Sequence, residues 1–424
     1  MKGSLIKQHR KFKNLTLEEL ASGICSVSYL SKIEHDTINA SDEIYRLLGE
    51  RLNIKLTDIN QEFDESIHQQ LLEWHEIIQR RDLPLMEEYF QKCTEALESN
   101  QNTELNHLYT IVKARHTMKL NEGPLSDEDL KEIDDLYPYT NDEYKFFYHK
   151  TVGIHYLLKN HQLKNALHHF HKTEELLNKL PFTDSETYFH LALTYSQIRA
   201  SVESNFYAHT ALEGYIKDFD YERIVDTYMI IALNYRALEI YSIAEEYFLK
   251  LKRISKYHLK SIDERRVYHN LGYIYANQEK YEDAIDYLEK AYNMTLEMKD
   301  DYFYVNTIYS LASTHFYAGN IEKAWVLIEK GEKSAEEYDI TFFKYKFFVL
   351  RSTALEKTME DFFMDKLENE IIPYFRENNE YGSYKNYCEM LGNLYYEKRM
   401  YKKAAMYFKE VNNYRKTQKK DLLL

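Results

Sequence analysis

An all-α fold follows from three features of the chain. Its 424 residues include only five prolines and eleven glycines, too few for sheets joined by tight turns. Ala244, Ala284, Ala324 and Ala404 are spaced by multiples of forty residues, and Ile231, Leu271, Leu311 and Leu391 keep the same beat, as do Tyr235, Tyr275 and Tyr395. A recurrence of that length marks stacked helix pairs, each burying its core only against its neighbours. The first sixty residues lack the beat and instead carry apolar positions at helical spacing, interrupted by capping residues.

In residues 1–60 the apolar positions are Ile6, Phe12, Leu15, Leu20, Ile24, Leu30, Ile33, Leu47, Leu48 and Leu52, which predicts five short helices. Thr16 is an N-cap, and Glu19, three residues later, completes a capping box. Gly23 stands where a sharp turn needs positive φ, and Ser26 caps the following helix, SVSYLSKIE. Helix, glycine turn and capped second helix make a helix-turn-helix. Residues 5–34 resemble the Cro-type helix-turn-helix of bacterial repressors, through Leu15, Thr16, Glu19, Leu20, Ala21, Ser26, Tyr29, Leu30, Ser31, Ile33 and Glu34. The resemblance implies a DNA-binding domain over 1–60, with Val27, Ser28 and Lys32 facing base edges and Ser26 near the backbone. Arg10 and Lys11, in a leading edge that also holds Lys2, Lys7 and Lys13, are expected to contact phosphates. Leu17 and Val27 stand where such domains often place Gln or Arg, so readout is expected to be weak or to use DNA shape. The alternative is a helical cap that binds no nucleic acid.

Residues 61–70 read as a linker or the start of a connecting helix. Two amphipathic helices, broken near Pro84, and a third, HLYTIVKARHTMKL, follow. Ser126 is placed to cap the next helix, with Asp129 three residues on. The stretch 71–120 resembles the leading bundle of the Rap aspartyl-phosphate phosphatases, through Trp74, Ile77, Ile78, Tyr109, Arg115 and His116. That likeness implies a catalytic glutamine orienting water against a phospho-aspartate, and Gln101 is the nearest candidate; its alternative is an exposed loop glutamine.

Helix pairs are predicted to start near 147, 185, 225, 265, 305, 345 and 385. Residues 268–291 carry Tyr268, Leu271, Gly272, Tyr275, Ala284, Leu288 and Ala291, the tetratricopeptide pattern, so residues 71–424 are expected to form a right-handed superhelix. The unit at 345 is degenerate, with Met364 at the alanine position. The first helix of each pair lines the inner surface, placing there Asp226, Arg266, His269, Asn270, Tyr273, Asn277, Asn306, Tyr309, Ser310, Ser313, Lys346, Asn386 and Asn393. An asparagine amide accepts and donates, so it pairs with both polar groups of an extended backbone. Asp226, Arg266, Asn270, Asn306, Tyr309, Ser313, Lys346, Asn386 and Asn393 are the expected peptide-binding residues, with Arg266 and Lys346 suited to a carboxylate.

The remaining composition narrows function. The net charge is −14, against a protein coated with nucleic acid but compatible with a small DNA-reading face. Three scattered cysteines form no disulfide framework. No signal peptide and no run long and apolar enough to span a membrane is read, so a cytoplasmic protein without membrane partners is expected. Nucleotide-loop and zinc-protease motifs are missing. His155, His161, His168, His169 and His171 gain no cysteine, so neither metal nor cofactor is expected.

A repressor-like head on a repeat body resembles the peptide-responsive quorum-sensing regulators of Gram-positive bacteria: the Rap, Rgg, NprR, PlcR and PrgX group, and within it the NprR-like members. The resemblance implies a peptide-gated transcriptional regulator. A short re-imported signalling peptide would bind the concave groove and change the assembly, a dimer or a peptide-bound tetramer, and with it the binding of double-stranded DNA. The alternative is a Rap-like phosphorelay inhibitor, a response-regulator phosphatase or a sequestering protein, in addition to or instead of the first role. The expectation is thus of a mainly non-enzymatic regulator, with phosphatase activity left open.

Overall fold

The computed structural model describes residues 2–13, 15–35, 37–52, 63–100, 102–159, 162–258, 261–298 and 300–420, and among them no strand occurs. The chain divides into two units: Met1–Ile198 with Phe206–Glu222, and Arg199–Asn205 with Arg223–Leu424.

The first unit begins with α1 (Lys2–Phe12), α2 (Leu17–Ala21), α3 (Val27–Glu34) and α4 (Asp42–Leu52). Ile6, Leu20, Leu30, Ile33, Tyr45, Leu48 and Leu52 form their own small core. The predicted caps are present. Thr16 Oγ1 accepts from the Glu19 amide at 3.1 Å while Glu19 accepts from the Thr16 amide at 2.7 Å. Gly23 has φ +71°, and Ser26 Oγ accepts from the Tyr29 amide at 3.2 Å. Residues 53–60, the end of the predicted head, lie outside the described residues.

Then come α5 (Glu65–Arg80), α6 (Leu83–Ser99), α7 (Thr103–Leu120) and α8 (Asp127–Leu136). Ser126 caps α8 through the Asp129 amide at 3.0 Å, as expected. The first two repeat pairs follow as α9 (Asp142–Leu158) with α10 (Leu163–Leu177), and α11 (Ser185–Gln197) with α12 (Ser201–Lys217). The residues that carry the Rap-like pattern are mostly packing residues: Trp74, Ile77, Ile78, Arg115 and His116 are buried, and the Trp74 indole N–H donates to His116 Nδ1 at 3.2 Å.

A buried ionic network joins α5, α7, α9 and the start of α11. The fully enclosed Lys150 ammonium lies 2.8 Å from both Asp184 and Glu186, and Arg115 donates to Glu186 at 3.0 Å. The two cations and two carboxylates balance, which is what makes their removal from water tolerable. Lys150 and its neighbours hold both carboxyls below their ordinary range despite burial.

The second unit is built from α13 (Tyr221–Ala237), α14 (Tyr241–His258), α15 (Ser261–Asn277), α16 (Tyr281–Met298), α17 (Asp301–Tyr317), α18 (Ile321–Glu337), α19 (Thr341–Ala354), α20 (Asp361–Lys366), a π turn (Leu367–Ile371), α21 (Ile372–Glu377), α22 (Tyr381–Glu397) and α23 (Tyr401–Lys420). First helices begin at 221, 261, 301, 341 and 381, keeping the forty-residue beat but starting four residues earlier than expected. Ala244, Ala284, Ala324 and Ala404 are each at most 1% exposed, so the beat is set by points of closest helix approach. In the degenerate pair the second helix breaks into α20, π turn and α21. Pro373 explains the break: it has no N–H to donate, and its ring crowds the carbonyl one turn back.

Candidate functional site

Two surfaces carry the candidate residues, one in each unit. On the head, Ser26, Val27, Ser28 and Lys32 are all exposed, at the first turn and along the outer side of α3. The opposite side is anchored by Leu30, Ile33 and Glu34. The helix therefore presents the predicted reading residues on one free side.

Arg10 is corrected by the structure. Its guanidinium is bound bidentately to Glu34, at 2.6 and 2.9 Å, and its third donor reaches the Leu15 carbonyl at 2.8 Å. Glu34 is 1% exposed. Arg10 is therefore committed to holding α1 against α3, and it is no longer counted as a phosphate contact. Lys11 is exposed and ion-paired with Asp135 at the end of α8. A pair between two exposed groups is weak, so Lys11 remains available.

In the second unit the first helices of successive pairs lie side by side, and their facing side chains form a polar strip. Arg236 of α13 donates to Asn270 Oδ1, while the Asn270 amide N–H donates to the Arg266 carbonyl at 2.8 Å. On α15, His269 meets Asn306 at 3.4 Å and Thr307 at 3.3 Å. The Lys346 ammonium of α19 lies over the Tyr309 ring at 4.3 Å, with Phe342 and Phe343 at 5.2 and 5.8 Å. Asn270, Asn306, Tyr309 and Lys346 are thus brought together. Glu239, between α13 and α14, lies 3.9 Å from Lys385 of α22, so the first and last pairs of the unit meet, and Arg199 lies 3.4 Å from Glu380.

Electrostatics single out one point of the strip. His269 is driven down to about 3 by burial and by Arg236, Arg265 and Lys346 around it, so its ring is neutral. Burial lowers Lys346 to about 8, with Glu380 acting weakly the other way. At neutral pH it stays largely cationic.

The other expected residues stand differently. Arg266 is exposed and paired with Asp263 at 3.3 Å. Asp226 faces Arg223 at 4.0 Å. Ser313 is half-buried on α17, and Asn386 and Asn393 are exposed on α22. Gln101 lies outside the described residues. Sequence reasoning missed Arg236 and Arg265. Arg265 stands at the very start of its expected unit, a position not read as inward-facing, and Arg236 sits in a last turn that was not read so either. Among the described residues no group of three metal-ligating side chains and no helix long and apolar enough to cross a membrane occurs.

Comparison with known proteins bears on both surfaces. The helix-turn-helix family matches residues 6–59, and the tetratricopeptide-repeat family matches residues 263–336. The transcriptional activator NprA of Geobacillus stearothermophilus is 26% identical over 408 residues, covering 92% of this chain and 97% of the relative. The regulatory protein RapD of Bacillus subtilis (strain 168) is 27% identical over 305 residues, covering 70% of this chain and 84% of the relative. The apo quorum sensor NprR from B. thuringiensis superposes with a TM-score of 0.66 at 20% identity, over 82% of this chain and 98% of that one. NprR in complex with its cognate peptide NprX gives 0.57 at 20%, over 84% and 100%. These two structural likenesses establish the fold.

Proposed function

We propose that this chain, an NprR-like quorum-sensing regulator in sequence and fold, is a peptide-gated transcriptional regulator acting in the cytoplasm. The observation that carries the reading is the pairing of a free α3 face (Ser26, Val27, Ser28 and Lys32) with an asparagine-bearing strip along α15 and α17. The first suits a major groove, where the N-terminal residues of a second helix meet base edges. The second suits an extended backbone, which an amide such as Asn306 satisfies without dictating its side chains, with the buried Asn270 holding Arg236 beside it. A short signalling peptide bound to the strip would favour one assembly over another, dimer or tetramer, by its difference in affinity for the two. Two heads in an assembly would then engage half-sites about one helical turn apart.

The test is footprinting of full-length protein on the DNA upstream of its own gene, with and without candidate short peptides encoded nearby. Lys32→Ala should weaken the footprint, and Lys11→Ala should reduce the salt slope by about one phosphate contact. Asn270→Ala and Asn306→Ala should each cost peptide binding about 1–3 kcal/mol. No footprint under any peptide condition, or unchanged peptide affinity in both asparagine variants, would defeat the corresponding half of the reading.

A second reading is supported by the 24% identity, over 63% of this chain, to the response regulator aspartate phosphatase E of Bacillus subtilis (strain 168): a grip on a phosphorylated response regulator, by catalysis or by sequestration. If Gln101 orients the attacking water, positioning is most of what phosphoryl transfer needs from a protein. Decay of a purified phospho-aspartyl regulator should then be lost in Gln101→Ala and kept in a variant carrying Lys32→Ala. Unchanged decay together with no complex on size exclusion would leave regulation of transcription alone.

A further inference from the structure

The strip in the second unit holds more positive charge than it neutralises. Arg265 and His269 stand one turn apart on α15, Arg236 bonds the adjoining Asn270, His269 meets Asn306 at 3.4 Å, and Lys346 covers Tyr309 one turn further along α17, so the three cations share one neighbourhood. Arg265 is 1% exposed and paired with Asp300 at 3.3 Å, yet its Nε and one terminal nitrogen are buried without a hydrogen-bond partner. Its planar face rests on the Phe303 ring at 3.9 Å. Arg236 is held by the Asn270 amide and by the Tyr273 ring at 5.2 Å, and Lys346 by aromatic faces. Among the described residues neither of the last two has an ion pair. Glu380, the carboxylate that bears on Lys346, is itself engaged by Arg199.

We infer that the peptide bound by this strip is anionic, and that one of its carboxylates seats at the centre formed by Arg236, Arg265 and Lys346. The inference rests on the peptide-receptor reading and names the chemical class of its ligand. Burying a charge without a partner is costly, and breaking a buried pair leaves a penalty of several kcal/mol. Two sparsely compensated cations and an under-bonded arginine therefore describe a site whose counter-charge arrives with a ligand. Aromatic faces under ammonium and guanidinium groups favour the cation but leave its outer hydrogen-bond donors free. The flanking Asn306 amide, bonded only at 3.4 Å to His269, suits a peptide backbone, which marks the anion as part of a peptide rather than a free inorganic ion. The chain as a whole carries −14, so this positive centre stands against an acidic background that repels acidic peptides elsewhere.

The experiment uses full-length protein and two pools of short synthetic peptides of equal length. One pool carries a single Asp or Glu and a free C-terminus. The other carries Lys or Arg and an amidated C-terminus. Fluorescence anisotropy ranks binding in each. The expected result is retention from the acidic pool only. Lys346→Met and Arg236→Met should each lower the affinity of retained peptides about tenfold or more, with a thermal midpoint at or above that of the parent. Lys346→Arg should restore most of the binding. Basic amidated peptides that bind as tightly as acidic ones, and whose binding falls in Asn270→Ala, would overturn the charge assignment and leave the peptide receptor intact. Failure of both pools to bind would overturn both.

Discussion

The carboxylate of Glu34 is almost wholly out of water, and the Arg10 guanidinium compensates it through two hydrogen bonds. Removing one partner of such a pair leaves a bare buried charge, at a cost of about 3–5 kcal/mol. Arg10→Ala should therefore loosen α1 and α3, seen as faster hydrogen exchange of their amides, whereas Lys32→Ala should leave exchange unchanged and touch only DNA binding. Equal protection in the parent and in Arg10→Ala would show the pair to be dispensable. This is also why Arg10 was misread from sequence: a basic leading edge can be counted there, but its partners cannot, since Glu34 lies twenty-four positions away. The exposed positions Ser26, Val27, Ser28 and Lys32 were legible because capping and helical spacing are local. Histidines give a second prediction at this scale. Burial depresses His75 to about 3, His107 to about 4 and His269 to about 3, with neighbouring cations adding to the effect at His75 and His269. The unfolded chain takes protons at these groups below about pH 6.5, and the folded one resists down to about 4. Stability should therefore fall as pH drops through that window, by roughly 1.4 kcal/mol per unit per histidine at most. The depressed carboxyls Asp184 and Glu186 add their loss only at lower pH. Urea midpoints at pH 7 and 5 test this; His107→Leu should shrink the drop, and a flat midpoint would contradict it.

In four of the helix pairs, one tyrosine recurs against another twelve residues later. The ring pairs Tyr195–Tyr207, Tyr235–Tyr247, Tyr275–Tyr287 and Tyr395–Tyr407 are all stacked. The Tyr275 hydroxyl also donates to Glu245 of the preceding pair at 2.9 Å, so the residue joins units as well as helices. The beat of small residues works beside these stacks. A Cβ on Gly272 would meet Leu288 Cγ at 2.5 Å and the Ala284 carbonyl oxygen at 3.1 Å. Because part of that obstacle is backbone, Gly272→Val should cost about 1–3 kcal/mol or more by overpacking. Chemical denaturation would read it, and an unchanged midpoint would mean that α15 and α16 can separate freely. The beat itself was plain in the sequence, since identical packing demands recur at identical spacing. The four-residue offset of the helix starts was not. Alanine marks where two helices touch, not where either begins, and the extra first turn of α13, α15, α17, α19 and α22 carries no residue common to all five to announce it. The break in the penultimate pair was foreshadowed by Met364, but its form depends on Pro373 and on the π turn that absorbs it.

At the scale of the whole chain, the two candidate surfaces belong to different units, and the relation proposed between them is thermodynamic linkage. If a peptide on the strip changes the affinity of the heads for DNA by some factor, DNA must change the affinity for peptide by the same factor. Nothing in that equality depends on how the units are arranged. It depends only on each ligand preferring one assembly over another, because a ligand indifferent to assembly shifts nothing however tightly it binds. Couplings of this kind usually amount to about 5–150-fold. The measurement is a closed cycle: peptide affinity by anisotropy with and without a saturating duplex from the footprinted region, and duplex affinity with and without saturating peptide. Protein concentration must be held fixed, since an equilibrium between dimer and tetramer makes both affinities concentration-dependent. Light scattering along the same peptide titration should show the mass change at the peptide concentration where duplex affinity changes. Lys346→Met separates the terms: it should move the peptide affinity and leave that of the heads for DNA, measured without peptide, where it was. A cycle that closes at a factor of one, with peptide and DNA each bound tightly, would make the chain a carrier of two independent sites and remove the gate from the proposed function.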